Sequence, residues 1–274
     1  MSVTSPRPGD DRCTHRTPRV VAARRLATRS GRAEAGRFLA EGAQAVREAL
    51  RHARVHELFV TEQAAARHGE LVTEAERSAR VSAITSRAAE LLSETVTPQG
   101  LVAVCDSVEV PPERALAGRP RLVAVLAGVA DPGNAGTVLR VADAAGADAV
   151  LFAGETVDVH NGKCVRASTG SLFHLPVARC ASVAEALAAC RRAGLVVTAA
   201  DGSAEDDLQT AADLVAPTAW LFGNEAHGLA PELLAAADRV LRVPIYGAAE
   251  SLNLATAAAV CLYASAMASR GRAT

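Results

Sequence analysis

Lysine is all but missing from this chain: of 29 basic residues only Lys163 is a lysine, and the rest are arginine. The formal net charge is −1, so overall charge gives no argument for a polyanionic partner. The distribution of charge does. Arg7, Arg12, Arg16, Arg19, Arg24, Arg25, Arg29, Arg32 and Arg37 crowd the amino-terminal stretch, a pattern that suits a phosphate-binding face or a solvated arm. Metal-type cysteine spacing is also lacking. Cys13, Cys105, Cys164, Cys180, Cys190 and Cys261 form no C-x-x-C pair, so no metal is expected and the thiols read as reduced, small hydrophobes in a cytosolic protein. No stretch combines the zones of a signal peptide, and the alanine-rich terminal segment is too weakly hydrophobic for a convincing membrane span. The expectation is a cytoplasmic protein with no membrane partner. Aromatic residues before position 107 are only Phe38 and Phe59, which disfavours broad base stacking. The chain has no P-loop ending, no G-x-G-x-x-G and no G-x-S-x-G, which excludes the phosphate loop, the dinucleotide fingerprint and the nucleophile elbow.

What is present is enough apolar material for two cores: 274 residues with 50% hydrophobic content. Apolar spacing predicts helix over 18–50, strand over 55–60, helix over 63–78, strand over 81–84, helix over 86–92 and strand over 101–105. That alternation makes a small α/β domain over 19–106, preceded by a flexible basic arm over 1–18. Paired prolines, Gly118 and scattered charges mark 107–119 as a linker. From 120 to 274 short apolar strands alternate with helices, the pattern of a mostly parallel sheet covered on both faces. Ligands in such sheets sit in the loops beyond the carboxyl ends of the strands.

Three polar clusters each follow a strand. The first, Asp131 to Arg140 (DPGNAGTVLR), has glycines that let backbone approach a ligand, Asn134 as a candidate cap and Arg140 less than two helical turns away. It also reads as an ordinary strand-to-helix turn. The second, Leu221 to Leu229 (LFGNEAHGL), adds Glu225 and His227, without the partners of a hydrolytic triad or a metal site. The third runs from Val243 through VPIYGAAESLNLATAAA. Ser251 and Asn253 there either cap the uncharged terminal helix or help hold a ligand at its amino terminus.

The order and content of these three segments resemble the signature motifs of the SpoU (TrmH-like) family of RNA ribose 2′-O-methyltransferases, part of the SPOUT class. The segment from Arg166 to Val177 (RASTGSLFHLPV) is similar to the stretch between the first two motifs. GRFLAEGAQAVREAL and TPQGLVAV resemble the L30e-like substrate-binding domain that precedes the catalytic domain in many members. The resemblance implies a carboxyl-terminal trefoil knot, S-adenosylmethionine (SAM) as cofactor and a homodimer. Periodicity cannot show a knot. Residue by residue it implies catalytic roles for Asn134, Arg140, Glu225, Ser251 and Asn253. It implies cofactor contacts from Thr198, Gly223, Val243, Ile245 and Leu252, and an RNA contact from Arg166. Arg24, Arg25 and Arg32 are expected to grip RNA from the amino-terminal domain. Ribosomal RNA is the expected substrate, with transfer RNA, or an inactive RNA-binding scaffold, as alternatives. Family proposals make the motif-one arginine the proton acceptor. A guanidinium is normally always charged, so Arg140 is expected instead to orient the ribose and stabilise the developing alkoxide. Two departures stand out: Ala226 where many members carry glycine, and a long acidic loop from Asp201 to Ala216.

Overall fold

The structure, a computed structural model, describes residues 12–270 except 212. The basic arm therefore lies outside the described residues as far as position 11. Its remainder is not free: Cys13 bridges Ile84 in parallel, its N–H donating to Ala83 at 2.8 Å, and Arg12 pairs with Glu62 at 3.0 Å. Burial of Cys13 gives that segment a reason to stay on the sheet. The chain divides into two units with the break between Ser107 and Val108.

In the first unit, α1 (Pro18–Arg25) and α2 (Arg29–Ala35) are followed by a strand, β1 (Arg37–Glu41), and only then by α3 (Ala43–His52). The single helix expected over 18–50 is thus three helices and a strand. Gly36 ends α2 in the left-handed region at φ 60°, and Gly42 opens α3 at φ 94°. Between these two breaks Phe38 and Ala40 alternate inward, a period of two rather than 3.6. Next come β2 (Val55–Thr61), α4 (Glu62–Arg67), α5 (Gly69–Ala75), β3 (Arg80–Ile84), α6 (Ser86–Leu92) and β4 (Leu101–Asp106). The helix expected over 63–78 is broken at His68, ahead of the poor helix former Gly69. Strand order is β1-β4-β2-β3, antiparallel except for the β2/β3 pair. Val20, Leu26, Phe59, Ile84, Leu92 and Val102 share one core on this sheet.

From Val108 onward the segment read as a linker belongs to the second unit. Glu109 bridges Val177, and α7 (Pro112–Ala115) buries Ala115 and Leu116 in that unit's core. The chain continues through β5 (Leu122–Ala127), α8 (Pro132–Ala145), β6 (Ala149–Ala153), α9 (Gly162–Ser168), β7 (Val177–Cys180), α10 (Val183–Arg192) and β8 (Val196–Ala200). Then come β9 (Thr218–Phe222), α11 (Pro231–Ala235), β10 (Arg239–Leu241) and α12 (Leu254–Arg270). The six strands are all parallel, in the order β10-β8-β9-β5-β6-β7. β5, β6 and β9 are buried at every position, as a sheet covered on both faces requires. Inside it, the Trp220 indole N–H donates to the Ser265 hydroxyl at 2.9 Å, fixing α12 against β9. All six cysteines are buried and free, and no helix among the described residues is long and apolar enough to cross a membrane.

Candidate functional site

At the end of β5 the chain turns into α8 through Asp131-Pro132. Proline suits the first helical position because its missing N–H has no partner there anyway. The cap is Asp131, not Asn134: Asp131 Oδ1 accepts the Asn134 backbone N–H at 2.8 Å. Lys163 Nζ, from α9, donates to Asp131 Oδ2 at 2.6 Å. That bond, followed by the Asn134 N–H, holds the Asp131 carboxyl below its ordinary range. A Cβ at Gly136 would stand 2.3 Å from the Cys164 carbonyl oxygen, so this glycine is what lets α8 and α9 touch.

With the cap supplied by Asp131, the Asn134 side chain is free to act elsewhere. Its Nδ2 donates to Glu225 Oε1 at 3.0 Å. Glu225 also accepts the backbone N–H groups of Ala130 and Asp131, each at 3.0 Å. Burial alone would raise the Glu225 carboxyl, but these donors together outweigh it and hold it below its ordinary value. The turn presenting Glu225 is organised by Asn224. Its Nδ2 donates to the Gly128 carbonyl at 2.8 Å, its Oδ1 accepts the Ala226 N–H at 2.8 Å, and its backbone exchanges hydrogen bonds with Gly228. At Gly223 a Cβ would meet the Gly228 oxygen at 2.4 Å, so the turn closes only over glycine. His227 is exposed on the same turn.

Asn253 completes the arrangement. Its Oδ1 accepts the Ala255 and Thr256 N–H groups at the start of α12, at 2.9 and 3.3 Å, and its Nδ2 donates to Asn134 Oδ1 at 3.1 Å. Of the expected capping pair only Asn253 caps. Ser251 instead lines a cleft of about 750 Å³ walled by 200–207, 223–228 and 242–257. Glu225, Gly223, Val243, Ile245 and Leu252 line it as well.

Asn134 and Asn253 stand behind Glu225 and do not themselves line the cleft, and neither do Thr198, Arg140 and Arg166. Thr198 sits in the middle of β8, fully buried, with no hydrogen-bond partner for its hydroxyl among the described residues. Ala200 and Asp201, at the strand's carboxyl end, line the cleft where Thr198 was expected. Arg140 is exposed on α8 beyond Thr137, and Arg166 is half-buried on α9. Arg24 and Arg25 are exposed at the end of α1, but Arg32 is not available to a ligand. It is buried, and its guanidinium donates to the Leu26 and Ala27 carbonyls at 2.9 and 3.0 Å, closing the α1–α2 turn. Charge counting along the sequence cannot separate such an arginine from a surface one. Conversely, Asp131, Lys163 and Asn224 organise the site without having been singled out. The Asp-Pro pair and the Gly-Asn turn were the local signals for two of them.

Residues 121–263 match the SpoU rRNA Methylase family, and residues 17–103 match an MRM3-like substrate binding domain. The chain is similar to the 23S rRNA (guanosine(2553)-2′-O)-methyltransferase of Bacillus subtilis: 35% identical over 244 residues, covering 88% of this chain and 92% of the relative. Among solved structures it resembles an AdoMet-bound rRNA methyltransferase from Sinorhizobium meliloti, with a TM-score of 0.80 and 30% identity over 90% of this chain and 94% of that one. It also resembles a SpoU methyltransferase from Streptomyces viridochromogenes in complex with AdoMet, with a TM-score of 0.81 and 31% identity over 94% and 99% of the two chains.

Proposed function

Because the chain belongs to the SpoU rRNA methylase family, we propose that it transfers a methyl group from SAM to a ribose 2′-hydroxyl of ribosomal RNA. The observation that carries this reading is the hydrogen-bonded line Asn253–Asn134–Glu225, which joins one residue from each of the three motifs at the edge of the cleft.

The cleft suits the cofactor. Its volume falls in the range of small-molecule sites, and the exposed Gly228 leaves backbone open to close approach. Asp201, Asp207, Glu225 and Glu250 line it against a single arginine, Arg242, an environment favourable to a cationic ligand. Gly223, Val243, Ile245 and Leu252 would hold the cofactor, which when bound supplies an activated methyl on a good leaving group.

The chain's own task is then to place the acceptor hydroxyl and ease removal of its proton. Every donor and acceptor of the polar line has a fixed sense. Glu225, ionised, can only accept, so Asn134 must turn its NH₂ towards it and its oxygen towards Asn253. The Asn253 oxygen is in turn held by the first N–H groups of α12. A site so ordered before the substrate arrives loses little in reorganisation at the moment of reaction. Arg140, exposed on the same helix as Asn134, is assigned to the ribose and its neighbouring phosphate, where it stabilises charge growing on the 2′-oxygen. Ser251 contributes a hydroxyl on the cleft wall. An inactive scaffold would tolerate a broken motif, whereas here all three motif residues are engaged.

Ribosomal rather than transfer RNA is supported by the names of the relatives, with Arg24, Arg25 and Arg166 as phosphate contacts. A homodimer is supported by an apolar row on α12, where Val260, Tyr263 and Met267 are 40%, 41% and 65% exposed at helical spacing. A carboxyl-terminal knot is part of the same reading, supported by a cleft whose walls come from three separate loops. A cytoplasmic location is supported by the bacterial relatives, since bacteria assemble their ribosomes in the cytoplasm. Incubation with tritiated SAM and purified ribosomal or transfer RNA tests the reading. Label is expected in ribosomal RNA, and label in neither RNA would overturn it.

A further inference from the structure

Asp201 stands at the carboxyl end of β8, the edge of a parallel sheet where ligands bind. Its backbone N–H donates to the Leu241 carbonyl at 3.1 Å, so its position between the ends of β8 and β10 is fixed. One carboxylate oxygen is also fixed: Oδ1 accepts both the backbone N–H of Ser203 at 2.9 Å and its hydroxyl at 2.5 Å. The other, Oδ2, has no donor among the described residues. It lies 3.5 Å from where a Cβ of Gly228 would stand, so no side chain comes between it and the facing turn.

The remaining acids of the cleft are differently placed. Glu225 already accepts three donors, and Asp207 faces Arg242 at 3.7 Å. Glu250 is on the exposed 246–252 loop. Asp201 is therefore a carboxylate held in one orientation with an acceptor to spare.

The sheet order says which part of a ligand it meets. Asn134 follows β5, Glu225 follows β9 and Asp201 follows β8, on three neighbouring strands. Two strand spacings place Asp201 roughly 10 Å across the sheet from the acceptor end of the site. That separation reaches past the reacting methyl to the nucleoside half of the cofactor. A vicinal diol offers two O–H donors, and an ionised carboxylate is an acceptor only.

We propose that Asp201 is a cofactor-binding residue whose carboxylate accepts hydrogen bonds from the ribose hydroxyls of SAM. The proposal rests on the reading of the cleft as the SAM site. Ser203 is a positioning residue for it, holding the carboxylate so that Oδ2 faces the ligand.

The test uses 5′-methylthioadenosine, which keeps the nucleoside and lacks the amino-acid portion, together with its 2′-deoxy and 3′-deoxy forms. Calorimetric titration is done on the full chain, on Asp201→Asn and Asp201→Ala, and on Ser203→Ala. The wild type is expected to bind 5′-methylthioadenosine and to bind at least one deoxy form about tenfold or more weakly. Asp201→Ala is expected to lose a similar factor for the parent nucleoside while no longer distinguishing it from the deoxy form. Asp201→Asn, closer in shape, guards against loss of fold and is expected to behave in the same way, and Ser203→Ala to lose a smaller factor. Unchanged affinity in both Asp201 variants, or an undiminished preference for the diol, overturns the assignment while leaving the cofactor reading intact. Failure of the wild type to bind either SAM or 5′-methylthioadenosine overturns the cofactor reading and this assignment together.

Discussion

The Asn253 side-chain amide Nδ2 donates to the Asn134 side-chain oxygen Oδ1 at 3.1 Å across 119 positions of sequence. It joins the mouth of the last helix to the first turn of α8, and Asn134 passes the connection on to Glu225. Three loops that follow three different strands are thereby held in one geometry. Each member has its hydrogen-bonding sense dictated by the next, so the line acts as a unit.

Residues that act as a unit are not additive. Asn134→Ala and Asn253→Ala are each expected to lower kcat about ten- to a hundredfold, and the double variant to be little worse than the poorer single one. Steady-state kinetics on the four proteins check this. Multiplying losses would mean that the two amides work separately.

Glu225 gives the line its pH dependence. Its carboxyl is held below the ordinary value of 4.5 in the folded protein, so its contribution is complete above that value and is lost as pH falls through the lowered one. A kcat profile should therefore show an acid limb below 4.5 that disappears in Glu225→Gln. The variant should also be about tenfold slower at neutral pH, because its NH₂ then opposes the donors that Glu225 accepts.

Arg140 is separate from the line and exposed. Arg140→Ala is expected to cut turnover at least about a hundredfold with SAM affinity nearly unchanged. Calorimetry and single-turnover kinetics together separate the two effects, and near-normal turnover would remove Arg140 from the catalytic group.

The amino-terminal arginines divide by burial. Arg24→Ala and Arg25→Ala are expected to leave the melting temperature unchanged while reducing the slope of log K for RNA against log salt by about 0.7 to 0.9 each. Arg32→Ala should do the reverse. It leaves the Leu26 and Ala27 carbonyls without their donor and is expected to destabilise the first unit by about 1–3 kcal/mol. Thermal melts beside salt-dependent RNA binding distinguish them.

These contrasts mark how far the sequence could be read. The parallel sheet and the three loops were legible because each is local: an apolar strand, then glycine with a polar residue, then a helix. Their joining was not. The bonds between residues 134, 225 and 253 span 91 and 119 positions, and no spacing rule reaches so far. Strand β1 was hidden because Phe38, Leu39, Val46 and Leu50 also fit a helical period, and only Gly36 and Gly42 argued otherwise. Asn134 and Asp131 are both good caps by type, and Pro132 was the residue that decided between them. Thr198 is buried in the middle of β8, and the strand's last residue, Ala200, is the one that lines the cleft.

The central claim is that this line of amides and carboxylate serves a ribose hydroxyl and not a base. Its most direct test is methylation of ribosomal RNA with SAM carrying a deuterated methyl group, followed by digestion to nucleosides and mass spectrometry. The account predicts label on the ribose 2′-oxygen of a nucleoside, incorporated about ten- to a hundredfold more slowly with Asn134→Ala. Label found on a nucleobase, or ribose label undiminished in that variant, would contradict it.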